Sequence, residues 1–389
     1  MKRLYFKVSF ILAGTFLIVS CSNDDNSVTN ENVTKKEVIE NYADIAYNNY
    51  KKAYDDAAVL ENSITTFTSN PTDANFTFAK KKWKEARESY GTTEAFRFAN
   101  GPIDDENGPE ALMNAWPLDE NFVDYVVGNL DAGIINATNT YPIISKELLT
   151  DLNENGGEKN ISVGYHAIEF LLWGQDLTDP ADNLPGQRPY TDYLVNGTAE
   201  NQARRATYLN VCADLLTDHL QYMVNQWKPG GAYRTIFLAL PENTALKNMY
   251  LGITTLVLAE LPIERMNVAL GNADQEDEHS CFSDYTHRDI YLNLKGVVNV
   301  YQGTYGSING PSLADLVENA DATIFNATAT AETQALAKVA QILTPFDLAI
   351  AGGPSTAEGL KVQAAVLQLD DYGSNLLAGA AKIGILVNN

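Results

Sequence analysis

Residues 38–67 read VIENYADIAYNNYKKAYDDAAVLENSITTF, and this stretch decides the fold class. Its mainly nonpolar positions recur every three or four residues, which is the spacing of one face of a long amphipathic helix. These positions are Val38, Tyr42, Ile45, Asn49, Ala53, Ala57, Leu60, Ile64 and Phe67. Residues 70–73 carry helix-start signals, and a second stripe then comprises Phe76, Ala79, Trp83, Ala86 and Tyr90. Two long helices joined by so short a link predict an antiparallel hairpin, the unit of helical bundles.

The remainder of the chain repeats the helical pattern. Further helices are predicted at residues 119–137, 145–152, 162–173, 200–227, 241–270, 286–301, 312–325, 330–343 and 356–387. Pro262 is expected to kink the helix at 241–270. Short Val, Ile and Thr alternations with turn dipeptides are scarce, so a sheet is not supported. Because residues 228–231 (KPGG) stop a helix, the pattern predicts an all-α fold of two tandem bundles, residues 34–230 and 231–389.

The composition restricts the class of partner. The chain has 389 residues, with 27 Lys and Arg against 50 Asp and Glu, and a formal net charge of −23. Its 45% hydrophobic content is typical of a globular protein and excludes wholesale disorder. So negative a chain repels phosphate backbones, and we expect no nucleic-acid partner. The charge favours a cationic partner or serves solubility.

The N-terminus resembles an export signal. Lys2, Arg3 and Lys7 precede an apolar run at residues 8–19, which is too short to span the ~30 Å hydrocarbon core of a membrane. Residues 18–21 (IVSC) resemble a bacterial lipoprotein cleavage box. We therefore predict a signal peptide at 1–20, a lipid anchor at Cys21 and a flexible tether at 21–33. The alternative is an ordinary secretory signal with an incidental cysteine. The protein is expected in the cell envelope, with the anchor as its only membrane contact.

Cysteine and histidine are scarce, so their positions carry weight. Three cysteines cannot form a disulfide framework, and the anchor leaves Cys212 and Cys281, whose pairing the sequence leaves open. Of four histidines, His219 lies within a predicted helix and is interpreted as structural. The other three fall in two motifs described next.

Residues 164–169 (GYHAIE) form the sharpest motif. His166 and Glu169 are three residues apart, so a helix places them on one face, where they can share a cation or hydrogen-bond each other. The surrounding sequence is apolar, and a carboxylate there needs a partner. The alternative to a functional site is a buried His–Glu hydrogen bond that holds the bundle in register.

Two further clusters carry polar side chains. Residues 276–287 (EDEHSCFSDYTH) include His279, Ser283, Asp284 and His287; the alternative is an exposed acidic loop that caps the following helix. Residues 94–98 (EAFRF) and 114–119 (NAWPLD) form the other cluster. An arginine between two phenylalanines can pair with a buried acid or bind an anion.

These motifs together resemble the imelysin-like family. Gly164, His166 and Glu169 match its GxHxxE signature, and residues 96–98 with 114–119 are similar to its N-terminal block. Residues 276–287, followed by Asp289 and Asn293, look like a second block, and residues 345–347 (PFD) a third. The matches run in order across residues 34–389. Tyr285 departs from the pattern, where Asn is expected.

The resemblance implies two four-helix-type bundles with the signature facing a cleft between them, envelope location and a link to iron uptake. The family is also catalogued as a metallopeptidase family. His166 and Glu169 would be ligands of Fe or Zn, metals that suit a His and carboxylate set. Further ligands would come from His287, His279, Asp284 or Glu94, and the residues lining the site would be Arg97, Asp119 and Ser283.

Three functions are compatible with these residues. The first is an envelope lipoprotein that binds a metal or an iron-containing ligand in the cleft and serves an envelope iron transporter. The second is a metallopeptidase that uses the same His166 and Glu169, with Glu169 as the catalytic residue. A zinc hydrolase needs about three ligands, an open position and a general base, and the signature supplies two ligands. The third is a metal-free protein-binding or peptide-binding module.

Overall fold

The predicted hairpin forms from α1 (Lys35–Ser69) and α2 (Asp73–Tyr90). Thr34 begins α1 with a capping box, in which its hydroxyl accepts from the Glu37 backbone while the Glu37 side chain accepts from the Thr34 backbone. Thr72 caps α2 and lies within residues 70–73, where the helix-start signals occur. The predicted stripe of α1 is buried from Val38 to Phe67, so the periodicity identified the packed face correctly.

The computed structural model of the chain describes residues 33–387. The predicted signal peptide, Cys21 and the tether as far as residue 32 lie outside that range. Within it, we find no helix with the length and apolar character needed to cross a membrane. Over the same range both cysteines, Cys212 and Cys281, are free thiols.

The N-terminal half, residues 34–230, packs around the hairpin. Its other helices are α3 (Glu110–Met113), α4 (Glu120–Val123), α5 (Gly133–Asn136), α6 (Lys146–Leu152), α7 (Gly164–Trp173) and α8 (Gln202–Trp227). Turns of 3₁₀ helix occur at Gly91–Phe96, Pro180–Asp182 and Tyr190–Tyr193. The long helices α1, α2 and α8 and the shorter α7 pack on one another as a four-helix group.

The C-terminal half, residues 231–387 of the described chain, is also helical. Its α-helices are α9 (Ala232–Ala239), α10 (Glu242–Thr255), α11 (Val268–Asn272), α12 (Thr286–Gln302), α13 (Leu313–Ala320), α14 (Ala322–Val339), α15 (Phe346–Ile350) and α16 (Ala357–Lys382). A 3₁₀ turn lies at Gln275–Asp277. Strands β1 (Thr304–Tyr305) and β2 (Ile308–Asn309) pair antiparallel. The all-α prediction is confirmed.

A π-helix at Leu256–Asn267 joins α10 to α11, where a proline kink was expected. Pro262 lies inside it and has no N–H to donate. Segments of π-helix are rare and are frequently found at functional sites. Arg265 lies within this segment, where the helical register differs from that of a regular α-helix.

The predicted break between helices 312–325 and 330–343 is misplaced, because α13 ends at Ala320 and α14 continues from Ala322 to Val339.

The predicted helix at residues 119–137 is wrong. That segment contains only the two single-turn helices α4 and α5, because Asp124 is drawn inward between two buried arginines. Its carboxylate accepts from Arg205 Nε at 2.6 Å and from Arg188 Nη1 at 2.6 Å. A regular helix cannot turn the chain back at this point, and the buried ion pairs hold the irregular path instead.

The two halves meet through close backbone contact. The 3₁₀ turn at Gly91–Phe96 packs against α12 and α10. A Cβ at Gly296 would lie 2.6 Å from the Thr92 carbonyl oxygen, and one at Gly252 would lie 2.7 Å from that of Ala95. Only glycine allows so close an approach. The described residues form one compact unit, and division into domains at residue 230 stays a prediction.

Candidate functional site

The signature motif lies on α7, all ten residues of which are buried. His166 and Glu169 lie on one face of this helix, as the spacing predicted. His166 Nδ1 and Glu169 Oε2 share a hydrogen bond of 3.0 Å. His166 Nε2 is buried and has no hydrogen-bond partner. The pair is therefore joined directly, and one imidazole nitrogen remains available.

The other oxygen of Glu169 binds the second motif. The backbone N–H and the hydroxyl of Ser283 donate to Glu169 Oε1 at 3.0 and 2.6 Å. Burial raises the pKa of Glu169 to about 8, although the Ser283 donors act in the opposite direction. Burial, reinforced by Arg87, lowers the pKa of His166 to about 3, so its imidazole is neutral at neutral pH.

His279 lies against His166. The two rings meet edge to face, with centroids 4.7 Å apart. His279 Nδ1 shares a hydrogen bond of 2.8 Å with Asp289 Oδ2, and the Ser280 hydroxyl donates to the same oxygen at 2.5 Å. Burial, followed by the charge of Arg265, holds the pKa of His279 well below its usual value. Two neutral imidazoles, one from each half, are therefore in contact with each other.

Arg87, which belongs to the N-terminal half, neutralises the negative charge of Asp289. Its Nε and Nη2 donate to Asp289 Oδ1 at 3.2 and 2.8 Å, and both side chains are fully buried. Burial raises the pKa of Asp289, but Arg87 and His279 outweigh it and hold that pKa well below the ordinary range. Arg87 Nη1 donates to Asn114 Oδ1 at 2.6 Å, which extends the contacts toward the loop at residues 99–118.

Asn114 connects the Arg87–Asp289 pair to a second buried ion pair. Asn114 Nδ2 donates to Glu94 Oε1 at 3.3 Å, and Arg265 Nη2 donates to Glu94 Oε2 at 2.7 Å. Arg265 also donates to Asn293 Oδ1 at 2.6 Å. Burial raises the pKa of Glu94, but Arg265 and Arg97 outweigh it and lower that pKa. We refer to all these side chains as the buried charge network: Glu169, His166, His279, Asp289, Arg87, Asn114, Glu94 and Arg265.

A cleft of about 370 Å³ opens onto the buried charge network. His279 and Arg265 line it from the network, and Trp116 and Glu110 line it from the loop at residues 99–118. Glu260, which lies on the π-helix, completes this part of the wall. Its lining includes residues from both halves of the described chain.

The sequence-predicted residues divide into two groups. His166, Glu169, His279 and Ser283 lie together, Glu94 lies in the network, and Arg97 lines the cleft, where its Nη1 is 3.3 Å from both Glu110 Oε1 and Glu260 Oε1. Three others lie neither in the buried charge network nor in the lining of the cleft: Asp119, Asp284 and His287. Asp119 caps α4, and His287 lines a separate cavity of about 230 Å³. Burial, followed by the charges of Asp347 and Asp176, raises the pKa of Asp284 to about 8.

Arg87 and Arg265 are network members that the sequence reasoning missed. Arg87 follows Trp83 by four residues and precedes Tyr90 by three, so it lies on the predicted buried stripe of α2. A charged residue on such a stripe was the available signal. Arg265 had no comparable signal, because the π-helix shifts the face that a regular helical period would assign to it.

The hydrogen bonds of the buried carboxylates determine whether these residues can hold a metal ion. Among residues 33–387, no group of three or more His, Cys, Asp and Glu side chains could hold a metal ion. The physical reason lies in the partners: Glu169 already binds Ser283 and His166, and Asp289 already binds Arg87, His279 and Ser280. As placed, these residues do not fit a site with three protein ligands, and the metal-ligand role of His166 and Glu169 stays a prediction.

The raised pKa of Glu169 predicts how the stability of the protein depends on pH. An unfolded glutamate titrates near 4.5 and the folded one at about 8, so its contribution to stability is complete below pH 4.5 and is lost as pH rises to 8. From pH 6.5 to 8, the wild type should lose about 1–2 kcal/mol more unfolding free energy than Glu169→Gln. Urea denaturation of both proteins measures this difference. The lowered histidine pKa values lie below that window, and parallel slopes would contradict the prediction.

The comparisons with known proteins agree with this architecture. The imelysin family matches residues 46–376 of the chain. Iron-regulated protein A of Synechococcus elongatus is 25% identical over 300 residues, which cover 74% of this chain and 68% of that protein.

Two solved structures share the fold. An iron-regulated protein A precursor from Parabacteroides distasonis superposes with a TM-score of 0.70 at 16% identity, covering 90% of this chain and 95% of that one. An imelysin-like protein from Psychrobacter arcticum superposes with a TM-score of 0.66 at 15% identity, covering 91% and 97%. At these identities the likeness concerns the fold.

Proposed function

The chain belongs to the imelysin family, and from this premise we propose that it binds an iron-containing ligand in the cleft as a step of iron uptake. The relative named iron-regulated protein A supports an iron-related role. We further propose that the protein is anchored in the cell envelope through Cys21 and passes its ligand to an envelope iron transporter. The resemblance of residues 1–17 to an export signal and of residues 18–21 to a lipoprotein cleavage box supports this location.

The observation that carries the proposal is the buried charge network beneath the cleft. A buried ion pair often adds little to stability compared with well-packed apolar side chains of similar volume. Here two such pairs, Arg87–Asp289 and Glu94–Arg265, join segments from both halves under one opening. Strongly shifted pKa values next to a cleft are typical of functional sites. The network therefore supports a binding role for the cleft rather than a purely structural one.

The donor set favours an iron complex over a bare ion. A bare ferric or zinc ion needs several protein ligands that converge on one point, and the carboxylates of Glu169 and Asp289 are occupied by other partners. A complex brings its own ligands and needs only shape, hydrogen bonds and charge from the protein. Proteolysis is not proposed, because the described residues do not supply three metal ligands together with a free general base.

The test is iron-complex binding by the full chain, purified without a metal-binding tag. We expect a panel of ferric chelates of different charge to include at least one that binds wild type. Its affinity should be reduced at least tenfold in Trp116→Ala and in His279→Ala, since both side chains line the cleft. Tryptophan quenching and elemental analysis of the washed complex measure the binding. Phe78→Ala, an exposed position outside the cleft, is the control. No binding by any chelate, or equal losses in the control, would overturn the proposal.

A further inference from the structure

The cleft of the proposed function carries more negative than positive charge. Five carboxylates line it: Glu110, Glu154, Glu158, Glu260 and Glu264. The basic side chains in its lining are Arg97 and Arg265. Since His279 is neutral at neutral pH, the lining is negative overall. This local balance has the same sign as the chain as a whole, but here it is concentrated around one opening.

Both arginines of the cleft already have acidic partners. Arg97 Nη1 lies 3.3 Å from Glu110 and 3.3 Å from Glu260. Arg265 Nη2 lies 2.7 Å from Glu94 and 3.1 Å from Glu260. An anionic ligand would have to compete with these carboxylates for each guanidinium. Both guanidinium groups are therefore paired with carboxylates of the protein and leave little positive charge for a ligand.

Three of the acids are available to a ligand. Glu154, Glu158 and Glu264 are exposed, and within the described chain none of them forms an ion pair with Lys, Arg or His. They line the cavity, but no three acids of the described residues are grouped as metal ligands would be. A distributed negative lining suits a cation larger than a bare metal ion, with its charge on an extended group.

Glu110 provides an independent observation. It is only 7% exposed and lines the cleft, yet its Oε1 accepts no hydrogen bond, although Arg97 Nη1 lies 3.3 Å away. The ion pair with Arg97 thus leaves this buried oxygen without a well-formed hydrogen bond, which is costly, and a donor from a ligand would satisfy it. Burial, partly opposed by Arg97, raises the pKa of Glu110 to about 7. A cationic donor would favour its ionised form.

Trp116 supplies an aromatic wall beside these acids. Its indole N–H donates to the Glu278 carbonyl oxygen at 2.8 Å, which fixes the orientation of the ring. The ring also meets His279 edge to face at 5.4 Å. Ammonium and guanidinium groups bind favourably over a tryptophan face. The wall therefore has the same preference for a cation as the carboxylates.

We propose that the cleft recognises an organic cation: an ammonium or guanidinium arm of the ligand donates to Glu110 and packs on Trp116, within the field of Glu154, Glu158 and Glu264. The inference rests on the proposed function for the place of the site, and it adds the charge class of the ligand. An iron complex that bears such an arm fits the cleft, whereas an anionic chelate does not.

The test compares two iron complexes that differ in one charge. Ferrioxamine B is a ferric trihydroxamate with a free ammonium arm, and its N-acetyl derivative is the same complex without that charge. We expect the full chain to bind ferrioxamine B at least tenfold more tightly than the acetylated complex at low salt, measured by tryptophan quenching. In Glu110→Gln this preference should fall to less than threefold. Spermidine serves as an iron-free cation in a parallel titration.

Two further variants distinguish loss of ligand binding from misfolding. Glu154 has a left-handed backbone conformation, with φ of 58°, which asparagine adopts more readily than glutamate. Glu154→Asn should therefore remove a cleft charge without loss of stability, and it should weaken binding of ferrioxamine B and of spermidine. Glu318→Gln, at an exposed position outside the cleft, removes one charge elsewhere and should leave both affinities unchanged.

The outcomes separate the inference from the proposed function. Equal binding of the two ferric complexes would overturn the inference while the iron role stands. Binding of spermidine that is lost in Glu110→Gln, without binding of any ferric complex, would support the cation site and overturn the iron role. If neither spermidine nor a ferric complex binds, both are overturned.

Discussion

Replacing Arg87 with methionine is expected to lower the free energy of unfolding by about 3–5 kcal/mol, because it leaves the Asp289 carboxylate buried without its counter-ion. Arg87 and Asp289 are 1% and 0% exposed, and the pair is joined by two hydrogen bonds. His279 and Ser280 would remain as partners of Asp289, but both are uncharged. Urea denaturation followed by circular dichroism measures the change.

A matched pair on the surface provides the control. Arg288 binds Glu88 through two hydrogen bonds of 2.7 Å, the same kind of contact, but the side chains are 34% and 37% exposed. Arg288→Met should cost only about 0–1 kcal/mol, since water solvates the remaining carboxylate. Combining Arg87→Met with Asp289→Asn should recover part of the loss by removing the unpaired charge. Similar losses in the two arginine variants would contradict the argument from burial.

Gly164→Ala is expected to have the second-largest effect. Gly164 begins α7 with φ of 87°, where an alanine costs about 1–2 kcal/mol through its backbone alone. A Cβ there would also lie 2.6 Å from the Met113 carbonyl oxygen, which is too close without a shift of the backbone. Overpacking of this kind adds about 1–3 kcal/mol. Gly164, the first residue of the signature, is therefore needed for steric reasons, because only glycine lets α7 begin where it positions His166.

Gly128 separates the two contributions. Its φ is 88°, almost the same as that of Gly164, but a Cβ there would meet nothing within 4 Å. Gly128→Ala should therefore show only the backbone cost, and the difference between the two variants should report the overlap with Met113. Thermal and urea denaturation of both variants measure it. The steric explanation would be wrong if both alanines cost the same.

Much of the fold could be predicted from periodicity, because nonpolar residues that recur every three or four positions over a long stretch indicate one face of a helix. The stripes of α1 and α2 identified the buried faces, and the spacing of His166 and Glu169 gave their shared helix face. Prediction failed where contacts distant in sequence override the local pattern. Asp124 breaks the expected helix because its partners, Arg188 and Arg205, come from residues far along the chain.

The site was predicted less completely than the fold, for a related reason. The motifs located His166, Glu169, His279 and Ser283, but spacing cannot show which acid each base binds. The sequence therefore left open whether His166 and Glu169 share a cation or bind each other, and the structure has them hydrogen-bonded. Arg265 was missed since the π-helix changes the register on which a helical period depends.

The glycine contacts between the halves have a consequence for motion. At Gly296 and Gly252 the backbones of the two halves approach too closely for any side chain to intervene, so rotating one half against the other would break many contacts at once. We expect the cleft to be preformed, without a hinge that closes around its ligand. Such a receptor would gain selectivity from fixed complementarity, and release would depend on a competing partner or a change in charge rather than on reopening.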